Sequence, residues 1–253
     1  MAHWSLFGAC VCVLLAILVL CARRKRAPSD LPALDRRFHV LYINLEKDAE
    51  RREKYRAAMQ LAYPEHLALE RVPGVEHWWG REGCRAAHLR ALARAHELGH
   101  RYVLVTEDDV VPSGVGLSLP DCFAEFLASV EKLDDSRAPV MLLLECGEGL
   151  EGRVRLKECR GGPHFRRAVW GGNNAGAYLI RRDFIPALRT VWGCCPFLHV
   201  DHSWHMLWPF NQVWMAFPPP LIQRTVWSHN LKGVRQAARP FDVDAYWASN
   251  RNL

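Results

Sequence analysis

The chain has 253 residues, half of them hydrophobic and 24% charged, a balance that excludes a disordered polypeptide and suits one large domain with a buried core. Its formal net charge of +6 favours anionic partners such as nucleotides, phosphates or membrane surfaces. The basic residues form one tight run, Arg23-Arg24-Lys25-Arg26, and are otherwise scattered. No recognition-helix pattern, zinc-finger spacing or aromatic-basic stripe points to nucleic acid.

The N-terminus carries no charge from Leu6 to Ala22, LFGACVCVLLAILVLCA. This run reaches the lower limit of about 17 apolar residues for a helix that crosses a bilayer. Met1 to Ser5 contains no Lys or Arg, and no small-x-small cleavage site precedes the basic run. Those features favour an uncleaved anchor over a signal peptide. The expected organisation is a membrane anchor with its basic flank over residues 1–26, a linker over 27–37 containing Pro28 and Pro32, and one domain over 38–253. Nine cysteines are present. Cys10, Cys12 and Cys21 lie in the apolar run, and the other six permit disulfides or buried free thiols alike.

In chain order, Phe38–Asn44 is β-branched and aromatic and predicts a buried strand. Lys47 to Gln60 predicts a surface helix and Leu67 to Val72 a second strand. Glu82 to Leu98 places apolar residues at helical spacing and ends at Gly99, a good residue just past a helix end. Tyr102 to Val105 is an apolar strand running into Thr106-Glu107-Asp108-Asp109. A helix over Cys122 to Leu133 and a buried strand over Val140 to Leu144 follow. Gly149 to Val169 predicts a hairpin or loop excursion, Ala175 to Ile180 a strand and Asp183 to Val191 a short helix. The Trp-, His- and Pro-rich remainder suits binding-site loops. Strands alternating with helices imply an α/β fold, with a mostly parallel sheet and helices on both faces. Such sheets take ligands at the carboxyl ends of their strands, where the acidic run falls.

Three adjacent acids raise one another's pKa, and a divalent cation removes that penalty. Mn²⁺ and Mg²⁺ prefer oxygen ligands, commonly carboxylates together with substrate phosphates. On an extended strand end Glu107 and Asp109 point to one side and can share a metal. The alternative is that these acids cap the following loop and face solvent; spacing alone leaves both readings open.

Several segments, in order, resemble glycosyltransferase family 25, the lipooligosaccharide and procollagen galactosyltransferase type. Ile43-Asn44-Leu45 with Arg51 and Arg52 is similar to the family's opening motif. Gly83-Cys84-Arg85-Ala86-Ala87-His88-Leu89 resembles its GC-x-x-SHL helix, with Ala87 where the family has Ser. Val103 to Val110 resembles its EDD strand, and Gly176-Ala177-Tyr178-Leu179-Ile180 its Tyr-containing strand. Val200-Asp201 sits where the family carries a P-x-D acid, here without the Pro. Pro219 to Gln223 is similar to its PP-l-v-x-Q segment, with Ser228 after it and no acid following that Ser.

The resemblance implies a GT-A-like nucleotide-sugar-binding fold and an inverting transfer of a hexose, galactose or glucose, from a UDP-sugar. The acceptor would be a hydroxyl of a glycan, glycoprotein or lipid-linked molecule. It further implies Mn²⁺ (or Mg²⁺) held by Asp109 with Glu107 and His229. Asn44, Leu45, Arg51, Glu107 and Asp108 would lie at the donor, with Asp201 as general base. Enzymes of this class in the secretory pathway, the endoplasmic reticulum or Golgi, usually face the lumen. The positive-inside rule would instead keep Arg23 to Arg26, and the domain after them, cytoplasmic.

Other readings stand beside this one. His199, Asp201, His202 and His205 have the residue types of a zinc-dependent hydrolase, in a spacing that matches no zinc motif. A sugar-binding relative without turnover would keep the fold. Trp204, Trp208, Trp214 and Trp227 could stack on sugar rings or pack in the core. His88 on an apolar helix has the pattern of a hydrogen-bonded core histidine, and Arg51 that of a solvated helix face.

Overall fold

The computed structural model describes residues 31–34, 38–63, 67–145, 155–170, 175–194, 199–223, 226–228 and 233–235. The expected anchor at Leu6 to Ala22 and the expected metal ligand His229 lie outside them. Among the described residues, no helix is long and apolar enough to cross a membrane.

The first half alternates strand and helix: β1 (Phe38–Asn44), α1 (Ala49–Ala62), β2 (Leu67–Pro73), α2 (Gly80–Leu98), β3 (Tyr102–Glu107), β4 (Val110–Pro112), α3 (Leu119–Glu131) and β5 (Met141–Leu143). The second half adds the hairpin β6 (Arg155–Glu158) and β7 (Phe165–Trp170), then β8 (Ala177–Arg181) and α4 (Ile185–Cys194). A four-residue helix α5 (Val200–Ser203) leads into a 3₁₀ turn over Trp204–Phe210. The strands β9 (Val213–Ala216), β10 (Leu221–Gln223), β11 (Val226–Ser228) and β12 (Gly233–Arg235) follow.

Eight strands form one sheet in the order β2-β1-β3-β8-β5-β9-β7-β6. β1 is parallel to both β2 and β3, and β5 is parallel to β9. β8 runs against β3 and β5, and β7 against β9 and β6. Six strands therefore share one direction, as the alternation implied, yet most of the neighbouring pairs are antiparallel. The reversed strands enter through segments without a crossover helix: β7 through its hairpin with β6, and β8 by insertion between β3 and β5.

Both faces of the sheet are covered, which explains the unbroken apolar runs of its central strands. Val103 and Val105 of β3 point to one side, where Ala91, Leu92 and Ala95 of α2 and Leu188 and Trp192 of α4 meet them. Tyr102 and Leu104 point to the other, against Tyr55 and Met59 of α1 and Phe123 and Phe126 of α3. Local signals set the helix ends. Gly99 closes α2 with φ 76°, a left-handed geometry that glycine adopts without steric cost. α3 starts three residues before its expected start, because Ser118 caps it by accepting from the Asp121 N–H at 3.3 Å and Pro120 occupies its first turn.

After α4 the expectation of binding loops fails for the described tryptophans. Trp204, Trp208 and Trp214 are at most 1% exposed. Trp214 packs edge-on to Phe126 and face-on to Phe165, while Trp204 meets Tyr178 edge-on. These rings bury too much apolar area to leave in water, so none of the three reaches a sugar. The side chain of Trp227 lies outside the described residues.

Candidate active site

Because β2, β1 and β3 are parallel, their carboxyl ends fall on one edge, with Asn44 beside Pro73 and Ile43 beside Glu107. A cleft of about 650 Å³ opens there, walled by the loops after the three strands, the start of α2 and the residues around α5. Two glycines hold its walls together. A Cβ on Gly74 would sit 2.8 Å from Leu45 Cδ2, and one on Gly83 would sit 2.5 Å from the Val75 carbonyl oxygen. The second contact is with backbone and cannot be relieved by a rotamer change. Gly83→Ala is therefore expected to cost about 1–3 kcal/mol through overpacking, read as a lowered Tm.

Every residue that the family resemblance placed at the site, within the described chain, lines this cleft: Asn44, Leu45, Arg51, Glu107, Asp108, Asp109 and Asp201. The arrangement of the acids differs from an extended strand end. β3 ends at Glu107, and Asp108 and Asp109 form the turn that leads into β4, so strand alternation does not govern where they point.

Asp108 is the tethered member. Asn44 Nδ2 donates to its Oδ2 at 2.6 Å, and Arg51 Nη2 donates to its Oδ1. The same Asn44 amide donates to the Asp48 carbonyl at 3.1 Å, tying the end of β1 to the start of α1. Asp108 is 4% exposed. Burial pushes its carboxyl above the usual aspartate range; Arg51 and Asn44 pull it back, and Glu107 and Asp48 oppose them. Arg51 also reaches within 4.0 Å of Asp109 and 3.7 Å of Asp48. It is thus a cleft residue with three carboxylates around it rather than part of a solvated helix face.

Glu107 is held differently. His88 Nε2 lies 3.1 Å from its Oε1 and Cys84 Sγ 3.8 Å from the same oxygen, while His88 Nδ1 lies 3.0 Å from the Tyr178 hydroxyl. His88 is fully buried on α2, matching the hydrogen-bonded histidine pattern, but its partner is a cleft carboxylate. Burial, followed by the charges of Glu107 and Asp201, pushes the Cys84 thiol well up. Cys84, Cys122, Cys159 and Cys194 are free thiols.

Asp201 sits on α5 between His199 and His202, all three on the cleft wall. Burial, then the nearby Arg81, holds the His199 imidazole below its ordinary range. His205 is buried against Trp208, their ring centroids 4.5 Å apart, and does not line the cleft. Among the described residues, the set of three metal-ligating side chains whose donor atoms lie within 4.8 Å of one another is Cys84, His88 and Glu107. The His199, Asp201, His202, His205 cluster does not gather into one.

The cleft is strongly acidic in a basic chain. Asp48, Glu76, Glu107, Asp108, Asp109 and Asp201 face Lys47 and Arg51. An anionic ligand entering alone would meet like charge, whereas a divalent cation reverses the sign. Glu107 and Asp109 offer the hard oxygen donors that Mn²⁺ or Mg²⁺ take, so the donor set fits such an ion. The sequence reading missed Trp78, 81% exposed on the cleft wall. Next to it Trp79 is 37% exposed, with the Arg81 guanidinium 5.4 Å from its ring centre. Two consecutive Trp before a helix were the available signal.

No family model and no curated protein matches the chain. Solved structures similar to it include a glycosyltransferase involved in glycosylation of the major capsid of PBCV-1, at 11% identity over 67% of this chain and 74% of that one, TM-score 0.41. Another is mannose-1-phosphate geranyltransferase from Thermus thermophilus, at 12% identity over 72% and 74%, TM-score 0.34. A third is a Drosophila beta-1,4-galactosyltransferase 7 variant in complex with manganese, UDP-Gal and xylobiose, at 11% identity over 79% and 70%, TM-score 0.39. With TM-scores below 0.5, the functional reading rests on the cleft's own residues.

Proposed function

We propose that the cleft is the active site of a metal-dependent inverting glycosyltransferase of the family 25 type, with a GT-A-like fold. It would transfer a hexose from a UDP-sugar to an acceptor hydroxyl. One observation carries this reading: one acidic cleft at the carboxyl ends of three parallel strands gathers Asn44, Leu45, Arg51, Glu107, Asp108, Asp109 and Asp201. These residues were singled out from separate segments of the sequence.

In this reading Asp109 and Glu107 hold Mn²⁺ or Mg²⁺, and His229, outside the described residues, would join them. When bound, the ion supplies positive charge for the leaving diphosphate. Arg51 and Asn44 fix Asp108, so the acidic turn keeps its shape when the donor arrives. Asp201, on the cleft wall at α5, takes the proton of the acceptor hydroxyl as its oxygen attacks the anomeric carbon. The carbon–oxygen bond to UDP breaks on the opposite face, and the configuration inverts. His88 orients Glu107 through the hydrogen bond seen here. The N-terminal apolar run would tether the domain to a membrane of the endoplasmic reticulum or Golgi in a eukaryotic cell.

Calorimetric titration of the full-length chain in detergent with UDP, with and without Mn²⁺, tests the donor site. Binding is expected only with the ion; the absence of binding in both conditions would sink the proposal. Trp78 gives the acceptor a surface on which to stack. Trp78→Ala is expected to raise acceptor KM about two- to tenfold, as loss of about 0.5–1.5 kcal/mol of aromatic contact implies. At this exposed position Tm and metal-dependent UDP binding should not change.

A further inference from the structure

We infer that Cys84, His88 and Glu107 form a site for a thiophilic divalent cation of the zinc class, distinct in its ligands from the oxygen-donor site at Asp109. The inference does not rest on the transferase reading; it shares Glu107 and His88 with it, and with the cation bound His88 Nε2 is a ligand instead of the hydrogen-bond partner of Glu107.

Cys84 and His88 are four residues apart on α2, so their side chains lie one above the other on one face of the helix. That face meets the end of β3, where Glu107 leaves the sheet. Ligand bonds to zinc of about 2.3 Å from sulfur and about 2.0 Å from nitrogen or oxygen place the corners of a tetrahedron about 3.3–3.5 Å apart. The Nε2 to Oε1 separation is 3.1 Å and the Sγ to Oε1 separation 3.8 Å, while all three donors fall within 4.8 Å. These two edges need only a few tenths of an ångström of adjustment.

The surroundings fit as well. The outward nitrogen of a zinc-bound histidine is usually hydrogen-bonded, which fixes its ring and tautomer. Here His88 Nδ1 meets the Tyr178 hydroxyl at 3.0 Å, and Tyr178 is fully buried. A phenol can donate to Nδ1 in the metal-free state and accept from it once Nε2 binds the cation. Glu107 and Asp109, both on the cleft wall, add negative charge beside the sulfur. Coordination replaces the thiol proton of Cys84, which leaves to solvent, and no electron changes hands. Three protein ligands leave a coordination position toward the cleft. A sulfur and an imidazole nitrogen select against Mn²⁺ and Mg²⁺.

The full-length chain in detergent, stripped of metal, is titrated with Co²⁺ and followed by absorption. The expected result is a thiolate-to-cobalt charge-transfer band and intense tetrahedral visible bands that saturate at one ion per chain. Zn²⁺ should displace it and excess Mn²⁺ should not. Cys84→Ser should remove the charge-transfer band and weaken Zn²⁺ binding by at least about 100-fold, the upper end of losses seen for indirect partners. Binding without the band, or a band that survives in Cys84→Ser, would overturn the site. Should that variant fold poorly, zinc X-ray absorption on the wild-type chain at one equivalent decides. A shell with one sulfur and several nitrogen or oxygen atoms is expected, and a shell without sulfur contradicts it. None of these measurements involves turnover, so their failure is separable from failure of the transferase reading.

Discussion

Asp109→Asn is expected to lower Mn²⁺-dependent turnover of the UDP-sugar by about 10³-fold while leaving the protein at least as stable as before. A metal ion contributes several kcal/mol to stabilising charge on a leaving phosphate, and about 4 kcal/mol corresponds to a factor of about 10³ in rate. Asparagine keeps the shape of the side chain and one oxygen but loses the charge that holds the ion. Stability should move the other way. Asp109 is 5% exposed and adjoins Glu107 and Asp108 in the acidic turn, so removing one carboxylate relieves like-charge repulsion. Activity lost at unchanged or raised Tm is the expected pair of results; equal loss of both would mean that Asp109 only supports the fold.

Arg51→Ala should have the largest effect on stability, a loss of about 3 kcal/mol, at the lower end of the cost of breaking a buried ion pair. The lower end applies because Arg51 is 22% exposed and water can partly replace it. For a domain of this size the loss corresponds to a drop of about 6–12 °C in Tm. The pH dependence has a definite sign. In the native protein Asp108 already titrates above its ordinary value because it is buried, and Arg51 is the strongest influence drawing it down. Without Arg51 its folded pKa rises further above the unfolded value. The deficit is then full above that folded pKa and shrinks as pH falls through it, since a protonated Asp108 needs no cation. Melting curves of both proteins from mildly alkaline to mildly acidic pH should converge as pH falls; a gap that stays constant or widens would show that Arg51 acts elsewhere.

Much of the first half of the fold was legible because local signals agreed there. Phe38–Asn44 is apolar through most of its length since β1 is covered on both sides, and Gly99 marks the end of α2 by the conformation it adopts. The position of the cleft followed from strand order and the acidic run. The second half was less legible because its aromatic residues carry two meanings. A Trp beside His and Pro suits a sugar-binding loop as well as a core, and Trp204, Trp208 and Trp214 proved to be core. The mixed strand directions depend on β8 entering between β3 and β5, a long-range pairing that no local pattern encodes.

At the site, residue types were legible and their pairing was not. Glu107, Asp108 and Asp109 are adjacent in sequence, yet Asp108 belongs with Asn44 and Arg51, and Glu107 with His88 and Cys84. These partners come from α1, β1 and α2, and only the tertiary fold brings them together. The spacing of Cys84 and His88 was a visible cue. Its meaning depends on the strand end that α2 happens to face.

The central claim is tested most directly by incubating the full-length chain in detergent with a panel of UDP-sugars, with and without Mn²⁺, and following release of UDP. The account predicts Mn²⁺-dependent release from UDP-galactose or UDP-glucose, lost in Asp109→Asn. No release from any donor, together with no metal-dependent binding of UDP, would contradict it.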